Sequence, residues 1–309
     1  LMLRQSGHDV VGIDNCSRYA LLGEEGPRAQ VENFELLEAA GVRMVAMDLN
    51  DFLVTEIIRK EKITHIVHAA AQVCHSRKNE YPGDDVTNNV VATVDLLEAA
   101  RGAGTPFLFI SSSKVYGENF DHPEYLSAVT NGVSESCPLG DQTHLTFFGA
   151  SKVAADLFAQ MYARQFGMTV GVFRPGCFTG PYALAAEAQN WLPWLVHCAK
   201  NDKVFNIFGD GSQVRDLLHS KDMAIACMLW LTRPTTGVWN IGGGASRSLS
   251  VNEAVTKVTR MLGKEVPVAI CPRRPGDIQR LVINSRKFAE AYDWQPFVGL
   301  DDIFKEAGE

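Results

Sequence analysis

The sequence predicts an α/β fold, with a doubly wound parallel sheet and a smaller carboxy-terminal domain. Three observations support this prediction. The first half alternates short apolar runs with longer helical stretches, which is the pattern of successive βαβ units. Most of the apolar runs are rich in Val, Ile and Phe and end in small or polar residues, as buried parallel strands do. Beyond residue 174 the elements become shorter and the loops longer.

The elements of the first half can be placed in order along the chain. The first residues read as the end of a helix that stops at Gly7. Candidate strands follow at Asp9–Asp14, Arg43–Asp48, His65–Ala69, Pro106–Ser111 and Met168–Arg174. Between them, Asn89–Arg101 and Ser151–Phe166 carry apolar residues at a period near 3.6, which predicts two helices packed on the sheet.

The second half is predicted to contain a strand at Val238–Ile241 and helices at Asp222–Thr232 and Val251–Leu262. We place a domain boundary after Arg174. Residues 1–174 would carry the parallel sheet, and residues 175–309 would form most of a second domain that interleaves with the first. A chain of 309 residues is long enough for two domains or one large α/β unit.

Composition excludes several classes of protein. Hydrophobic residues make up 46% and charged residues 21%, which is typical of a globular chain. The formal net charge of −7 does not favour binding to nucleic acid or to an anionic membrane. No apolar run approaches the ~18 residues of a membrane span. Seven widely spaced cysteines without a CxxC pair argue against disulfides and a metal site, and fit free thiols in the cytoplasm.

Chemistry is expected at the strand tails, because ligands of open α/β sheets bind outside the carboxyl ends of the strands. The tails are Asp14 and Asn15, then Asp48 and Leu49, then Ala69, Ala70 and Ala71. The first carboxylate could bind the ribose hydroxyls of an adenosine, which favours NAD over NADP, and the second could reach an adenine amino group. The alanines would let a flat ligand approach the backbone. Asx turns and close helix packing are the alternative interpretations of these tails.

A Gly-rich phosphate loop is missing from the sequence. A dinucleotide-binding fold places such a loop between its first strand and first helix. Since the chain opens within a helix, we expect a strand and this loop to lie before Leu1. Gly242, Gly243 and Gly244 do not replace the loop, because they lead into a Ser-rich helix start and are interpreted as a turn.

A second polar group follows the fourth strand, at Ser111–Gly117. Hydroxyls at a strand tail can hydrogen-bond a substrate oxygen whose charge changes during hydride transfer, although serines are also ordinary turn residues. Further along, Phe148 and Lys152 are four residues apart at a predicted helix start and share one face. A tyrosine at the first of these positions would have its pKa lowered by the ammonium and could act as an acid or base.

These segments resemble the extended short-chain dehydrogenase/reductase superfamily, in its NAD-dependent epimerase/dehydratase branch. The matching segments are Val10–Arg18, His68–Val73, Asn89 with Leu96–Ala99, Ser111–Gly117, Gly149–Lys152, Phe173–Pro175, Gln213–Asp216, Asn240–Gly243 and Arg274–Asp277. They occur in order and at family spacing over essentially the whole chain. Within the branch, the segment from Gln189 to Trp194 is similar to a Gln-Gly-Trp-x-x-Trp segment of the CDP-paratose/CDP-tyvelose 2-epimerases.

The resemblance implies a Rossmann-type fold, tightly held NAD and a nucleotide-diphosphate sugar as substrate. Ser112 falls on the catalytic Ser/Thr position and Lys152 on the catalytic Lys, which binds the nicotinamide ribose. The implied NAD contacts are Asp14, Asn15, Asp48, Leu49, Ala69, Ala70, Ala71, Asn89, Lys152 and Pro175. The implied substrate contacts are Gln189, Asn190, Arg215, Arg274 and Asp277, with the two arginines on the diphosphate. A homodimer through Asn89–Arg101 and Ser151–Phe166 is also implied.

The chain departs from this family at the catalytic tyrosine, whose position is occupied by Phe148. A phenyl ring cannot exchange a proton, so the usual relay is interrupted. His144 lies one helical turn earlier and is either a substitute base or an ordinary loop histidine. Tyr116 belongs to a Val-Tyr-Gly segment that is structural in the family.

The sequence therefore predicts an NAD-dependent nucleotide-sugar epimerase, in particular a CDP-sugar 2-epimerase that acts through a transient keto sugar. Two alternatives remain open. The chain could be a catalytically silent protein that binds NAD or a sugar nucleotide, because Phe148 replaces the tyrosine. It could also be a sugar-nucleotide dehydratase or decarboxylase of the same branch.

Overall fold

The computed structural model describes residues 1–17, 26–73, 82–117, 131–143, 145–187, 189–274 and 276–307. In the first half the strands are β1 (Val11–Asp14), β2 (Arg43–Ala46), β3 (Ile66–His68), β4 (Phe107–Ile110) and β5 (Val170–Pro175). The helices there are α1 (Met2–Gln5), α2 (Gly26–Ala39), α3 (Leu53–Lys60), α4 (Pro82–Asp85), α5 (Ala92–Ala103) and α6 (Phe147–Phe166). The five strands predicted from the first half are confirmed.

The two helices predicted in the first half are present and longer than expected. A π-helical segment at Val86–Val91 joins α4 to α5, so that one continuous helix runs through the predicted range. Helix α6 begins four residues earlier than predicted because Thr146 caps it, its Oγ1 accepting a hydrogen bond from the Gly149 N–H at 3.1 Å. This earlier start places Phe148 inside the helix.

The second half contains strands β6 (Cys177–Thr179), β7 (Phe205–Phe208), β8 (Val214–His219), β9 (Gly237–Ile241), β10 (Ser248–Ser250), β11 (Val268–Cys271) and β12 (Arg280–Leu281). Its helices are α7 (Trp191–Lys200), α8 (Ser220–Thr232), α9 (Val251–Leu262), α10 (Arg286–Tyr292) and α11 (Leu300–Glu306). Both helices predicted here are confirmed. Helix α9 starts at a capping box, in which Ser250 and Glu253 each accept from the other's backbone N–H.

The main sheet is parallel, with the strand order β3-β4-β5-β9. Strands β1 and β2 form a parallel pair of their own. In the second half, β8 pairs with β10, β12 and β6, and β7 pairs with β11. Because β9 follows residue 174 yet extends the main sheet beside β5, the two halves of the chain interleave there.

Helices cover both faces of the main sheet, as the alternation in β4 shows. Phe107 and Phe109 pack in one core with residues of α3, α5 and α6. Leu108 and Ile110 point the other way and pack in a second core with α8 and α10. This confirms the doubly wound arrangement. Since these strands are parallel, their carboxyl ends lie along one edge of the sheet, which is where the tail residues meet. None of the helices described is long and apolar enough to cross a membrane.

Candidate active site

A cavity of about 1030 Å³ runs along the carboxyl edge of the strands. This volume is at the upper end of the range for small-molecule sites. The predicted site residues on its wall are Asp14, Asn15, Asp48, Leu49, Ala69, Ala70, Ala71, Ser112, Lys152, Pro175, Gln189, Asn190, Arg215, Arg274 and Asp277. The fold thus brings together residues from both halves of the chain.

One end of the cavity is formed by the tails of β1 and β2. The Asp14 carboxylate accepts a hydrogen bond from the Cys16 N–H at 2.7 Å, so the Asx turn that was the alternative interpretation is present. Asn15 donates to the Asp48 carboxylate and ties the two tails together. The turn does not exclude a ligand role, because the Asp14 and Asp48 side chains both remain on the cavity wall.

Asn89 lies outside the wall of the cavity, between the segment after β3 and helix α6. Its side chain is 1% exposed. The amide accepts from the Gln72 N–H at 2.8 Å and donates to the Gln72 carbonyl at 3.0 Å and to the Ser151 Oγ at 2.9 Å. Asn89 therefore holds the segment after β3 against α6, and that segment, through Gln72, faces the cavity.

Ser112 is held at the start of a 3-10 turn, Ser113–Tyr116, that follows β4. Its Oγ accepts a hydrogen bond from the Lys114 backbone N–H at 3.1 Å. The turn therefore fixes the hydroxyl on the cavity wall. Lys114, which the sequence analysis did not assign, lines the cavity beside it.

Lys152 projects from α6 toward the end of β4. Its Nζ donates to the Ile110 carbonyl at 2.7 Å and lies 4.3 Å from the centroid of the Phe109 ring. Burial lowers the pKa of Lys152 to about 7, and the nearby Asp156 carboxylate opposes this shift. The Lys152 side chain therefore exchanges a proton near neutral pH, at a fixed place in a site shielded from water.

Phe148 lies one turn before Lys152 on α6, and both side chains line the cavity. The prediction that the two positions share a face is confirmed. The Phe148 ring is almost completely buried and carries no atom that can accept or donate a proton. His144, the alternative base predicted from the sequence, lies outside the described residues.

A buried ion pair behind the site fixes the ends of β4 and β5. Asp156 of α6 is fully buried and accepts hydrogen bonds from Nε and Nη2 of Arg174, both at 2.9 Å. Ser111 donates to the same carboxylate at 2.7 Å. Because Ser111 and Arg174 directly precede Ser112 and Pro175, the ion pair positions both wall residues.

Tyr116 belongs to this buried network and not to the cavity wall. Its hydroxyl accepts a hydrogen bond from Arg174 Nη1 at 3.2 Å and donates to Asn240 of β9 at 2.7 Å. Burial raises the pKa of Tyr116 to about 12. This hydroxyl is therefore structural. Asp156 was not among the residues predicted from the sequence, although its spacing of four residues from Lys152 on a predicted helix was an available signal.

The other end of the cavity carries the two arginines. Arg215 of β8 donates from Nη2 to Asp277 at 2.6 Å and from Nη1 to the Val214 carbonyl at 2.7 Å. The guanidinium carbon of Arg274 lies 3.6 Å from the centroid of the Phe208 ring, and burial lowers the pKa of Arg274. Two guanidinium groups held in this way on one wall suit a ligand with paired phosphate oxygens.

Gln189 and Asn190 reach the same cavity from the loop before α7. Asn190 has a positive φ of 58°, a conformation that asparagine tolerates better than most residues. Its Nδ2 donates to the Leu184 carbonyl at 3.0 Å. Asn190 therefore shapes the loop, in addition to its predicted contact with the substrate.

The family model "NAD dependent epimerase/dehydratase family" matches residues 2–242 of this sequence. The chain belongs to this family. The CDP-paratose 2-epimerase of Salmonella typhi is 31% identical over 96% of this chain and 90% of that protein. The fold is similar to that of the UDP-glucose 4-epimerase of Thermus thermophilus in complex with NAD, with a TM-score of 0.82 and 26% identity over 99% of this chain and 92% of that chain.

A second solved structure, the UDP-glucuronic acid 4-epimerase of Bacillus cereus in complex with UDP-glucuronic acid and NAD, has a TM-score of 0.85. It is 23% identical and covers 99% of this chain and 91% of that chain, so it supports the fold alone. Together the comparisons confirm the α/β Rossmann-type fold and membership of an enzyme family whose cofactor is NAD.

The cavity of this member of the family fits NAD. Exposed carboxylates at the β1 and β2 tails can accept hydrogen bonds from ribose hydroxyls. Three alanines after β3 leave the backbone accessible, and Lys152 and Pro175 lie on the wall at the ends of β4 and β5. Within the described ranges, no group of three or more His, Cys, Asp or Glu could hold a metal ion.

Proposed function

We propose that the chain is an NAD-dependent nucleotide-diphosphate-sugar epimerase, and specifically a CDP-sugar 2-epimerase. One observation carries the proposal. A single cavity joins the carboxylates at the tails of β1 and β2 to the two arginines, with Ser112 and Lys152 also on its wall. This layout suits a cofactor and a sugar diphosphate that meet end to end. The 31% identity with a CDP-paratose 2-epimerase supports the choice of sugar nucleotide.

Each wall residue has a proposed role. Bound NAD would supply the acceptor, and later the donor, of the hydride of a sugar carbon. Ser112 donates a hydrogen bond to the sugar oxygen as the ketone forms. Lys152 holds the nicotinamide ribose and supplies positive charge, while Arg215 and Arg274 hold the diphosphate. Residues 1–174 would then bind mainly the cofactor, and residues 175–309 mainly the sugar nucleotide.

A silent binding protein is the second candidate, and Phe148 is the observation that favours it. Turnover distinguishes the two. Incubation of the chain with CDP-sugars and UDP-sugars should yield the epimer and transient NADH, measured by chromatography and absorbance. Tight binding of sugar nucleotide without turnover would contradict the epimerase proposal. A product with water or carbon dioxide removed would instead indicate a dehydratase or decarboxylase.

Replacing either arginine should weaken sugar-nucleotide binding. Loss of a charge-assisted hydrogen bond costs about 1.5–3 kcal/mol, or roughly 10–150-fold in Kd. Arg215→Ala should have the larger effect, because it also leaves the Asp277 carboxylate unpaired beside the phosphates. Titration calorimetry with CDP- and UDP-sugars measures the effect.

The matched control for this prediction is Arg286→Ala. Arg286 forms an exposed ion pair with Glu290 on α10, so its loss should leave sugar-nucleotide binding unchanged. NAD affinity should stay constant in all three variants. Equal sugar-nucleotide binding by wild type and both cavity variants would contradict the proposed diphosphate site.

We also propose that the protein is a homodimer in the cytoplasm. Apolar side chains remain exposed on the helices around the predicted interface, where a packed monomer surface would be polar. They are Val86, Val91, Leu157, Phe158 and Met161. The segment Val86–Val91 packs beside α6, so these side chains belong to neighbouring helices. The cysteines in the described ranges are free thiols, as in a reducing compartment.

Phe158→Glu should convert the proposed dimer into a monomer. A carboxylate at a buried apolar interface must lose its water without a partner, whereas in the monomer Phe158 is 45% exposed and the charge is tolerated. Analytical ultracentrifugation over a range of concentrations measures the change. Phe52 is 80% exposed and lies next to α3, so Phe52→Glu should not change the association state. A monomeric wild type would contradict the proposal.

A further inference from the structure

We propose that Lys114 is the general base that receives the sugar hydroxyl proton, in place of the hydroxyl missing at position 148. The proposal rests on the epimerase function proposed above. The proton of the reacting sugar hydroxyl passes to the neutral Lys114 amine and forms an ammonium. The hydrogen on the same carbon leaves as a hydride to NAD, the cofactor of the family, and the C–O single bond becomes the C=O double bond of a ketone. Return of hydride and proton restores the alcohol and the neutral amine.

The backbone of Lys114 is held between Ser112 and the helix that carries Phe148. Its N–H donates to the Ser112 Oγ at 3.1 Å. Its carbonyl packs against Gly149, where an added Cβ would lie only 3.1 Å from the carbonyl oxygen. Lys114 is thus anchored beside the hydroxyl that binds the sugar oxygen and beside the residue that follows Phe148.

The side chain of Lys114 lines the cavity and has no hydrogen bond or salt bridge within the described part of the chain. Its ammonium interacts electrostatically with Arg215, Asp277, Cys177 and Arg274. Cys177 lies two residues after Pro175, at the proposed nicotinamide end, and the arginines lie at the proposed diphosphate end. In the proposed function the sugar lies between the diphosphate of its own nucleotide and the nicotinamide of NAD, so it would contact the Lys114 amine.

The surroundings of Lys114 favour proton exchange near neutral pH. The pKa of Lys114 is lowered to about 8, mainly by burial and also by the charges of Arg215 and Arg274, while Asp277 and Cys177 oppose the shift. Roughly a tenth of the amine is then neutral at pH 7, and a base works best when its pKa is near the working pH. Lys152 is less suited to the role, because its Nζ is engaged by the Ile110 carbonyl.

Lys114→Arg tests the proposal, since arginine keeps the positive charge but stays protonated and cannot accept a proton. We expect kcat at saturating sugar nucleotide to fall by about 10²–10⁴-fold. The Kd for the sugar nucleotide, measured by calorimetry, should change little. The control is Lys60→Arg, which changes an exposed lysine paired with Glu56 and should leave kcat unchanged. Lys114→Met provides a second loss-of-base variant should arginine prevent folding.

A titration provides a readout that does not depend on turnover. Lysines dimethylated with ¹³C-formaldehyde give methyl resonances whose shifts follow protonation. One resonance should titrate near pH 8 in wild type and be missing from Lys114→Arg. In wild type, kcat/KM should rise with pH and level off above about pH 8, because only the neutral amine accepts a proton.

The outcomes separate this proposal from the proposed function. If Lys114→Arg turns over sugar nucleotide at the wild-type rate, Lys114 is not the base but a positive charge that binds an anion. The proposed epimerase function would still stand. A Lys114 methyl resonance that titrates only near the ordinary lysine pKa overturns the role of Lys114 as well. No turnover of any sugar nucleotide by wild type overturns both the function and the base.

Discussion

Asp156→Ala is expected to destabilise the fold by about 3–5 kcal/mol. The substitution leaves the Arg174 guanidinium buried without its carboxylate, and it removes the acceptor of the Ser111 hydroxyl. An uncompensated buried charge costs far more than a lost surface ion pair. Chemical denaturation followed by circular dichroism measures the difference in free energy of unfolding.

Two further variants define the origin of this effect. Glu290→Ala removes the exposed partner of Arg286 on α10 and should cost less than about 1 kcal/mol. The double variant Asp156→Leu/Arg174→Met replaces both buried partners. It should lose less free energy of unfolding than Asp156→Ala alone, because no charge is then left unpaired. A double variant less stable than Asp156→Ala would contradict the explanation.

Much of the first half could be predicted from the sequence, because its signals are local. Strands β1 to β5 are short apolar runs with polar or small tails, and the helices carry apolar residues at a period near 3.6. Parallel strands end at one edge, so the tails could be expected to meet. Asp14, Asp48 and Ser112 follow three different strands, and all three lie on the wall of one cavity.

Other features depend on contacts that a local pattern does not contain. Strand β12 has two residues and pairs with β8, which lies more than sixty residues earlier. Asn89 matches the family pattern, but its burial beneath Gln72 follows from the packing of the helix against the segment after β3. Asp156 and Lys114 received no predicted role from the sequence. Only the fold shows that one is buried with Arg174 and the other lines the cavity.

Phe148→Tyr, introduced into the Lys114→Arg chain, is expected to raise turnover of the matching sugar nucleotide by about 10²–10⁴-fold. The new phenol would lie one helical turn from Lys152, whose ammonium lowers a phenol pKa. Both positions already face the cavity, so the substitution adds an oxygen to an existing wall. Epimer formation and NADH absorbance measure the gain, with sugar-nucleotide affinity as a reference that should not change.

The interpretation of the gain depends on whether the chain that carries Phe148→Tyr still contains Lys114. In a chain that keeps Lys114, the reacting oxygen already has a proton acceptor, so Phe148→Tyr should produce a much smaller gain. Suppose that wild type instead has low activity, which Phe148→Tyr raises by about 10²–10⁴-fold. In that case wild type lacks a working base, and Lys114 does not have that role. Adding Lys152→Met to the rescued chain should abolish the rescue, because the phenol then loses the charge that lowers its pKa. His144→Ala tests the alternative base predicted from the sequence. If this variant loses turnover while Lys114→Arg remains active, the histidine is the base that accepts the proton.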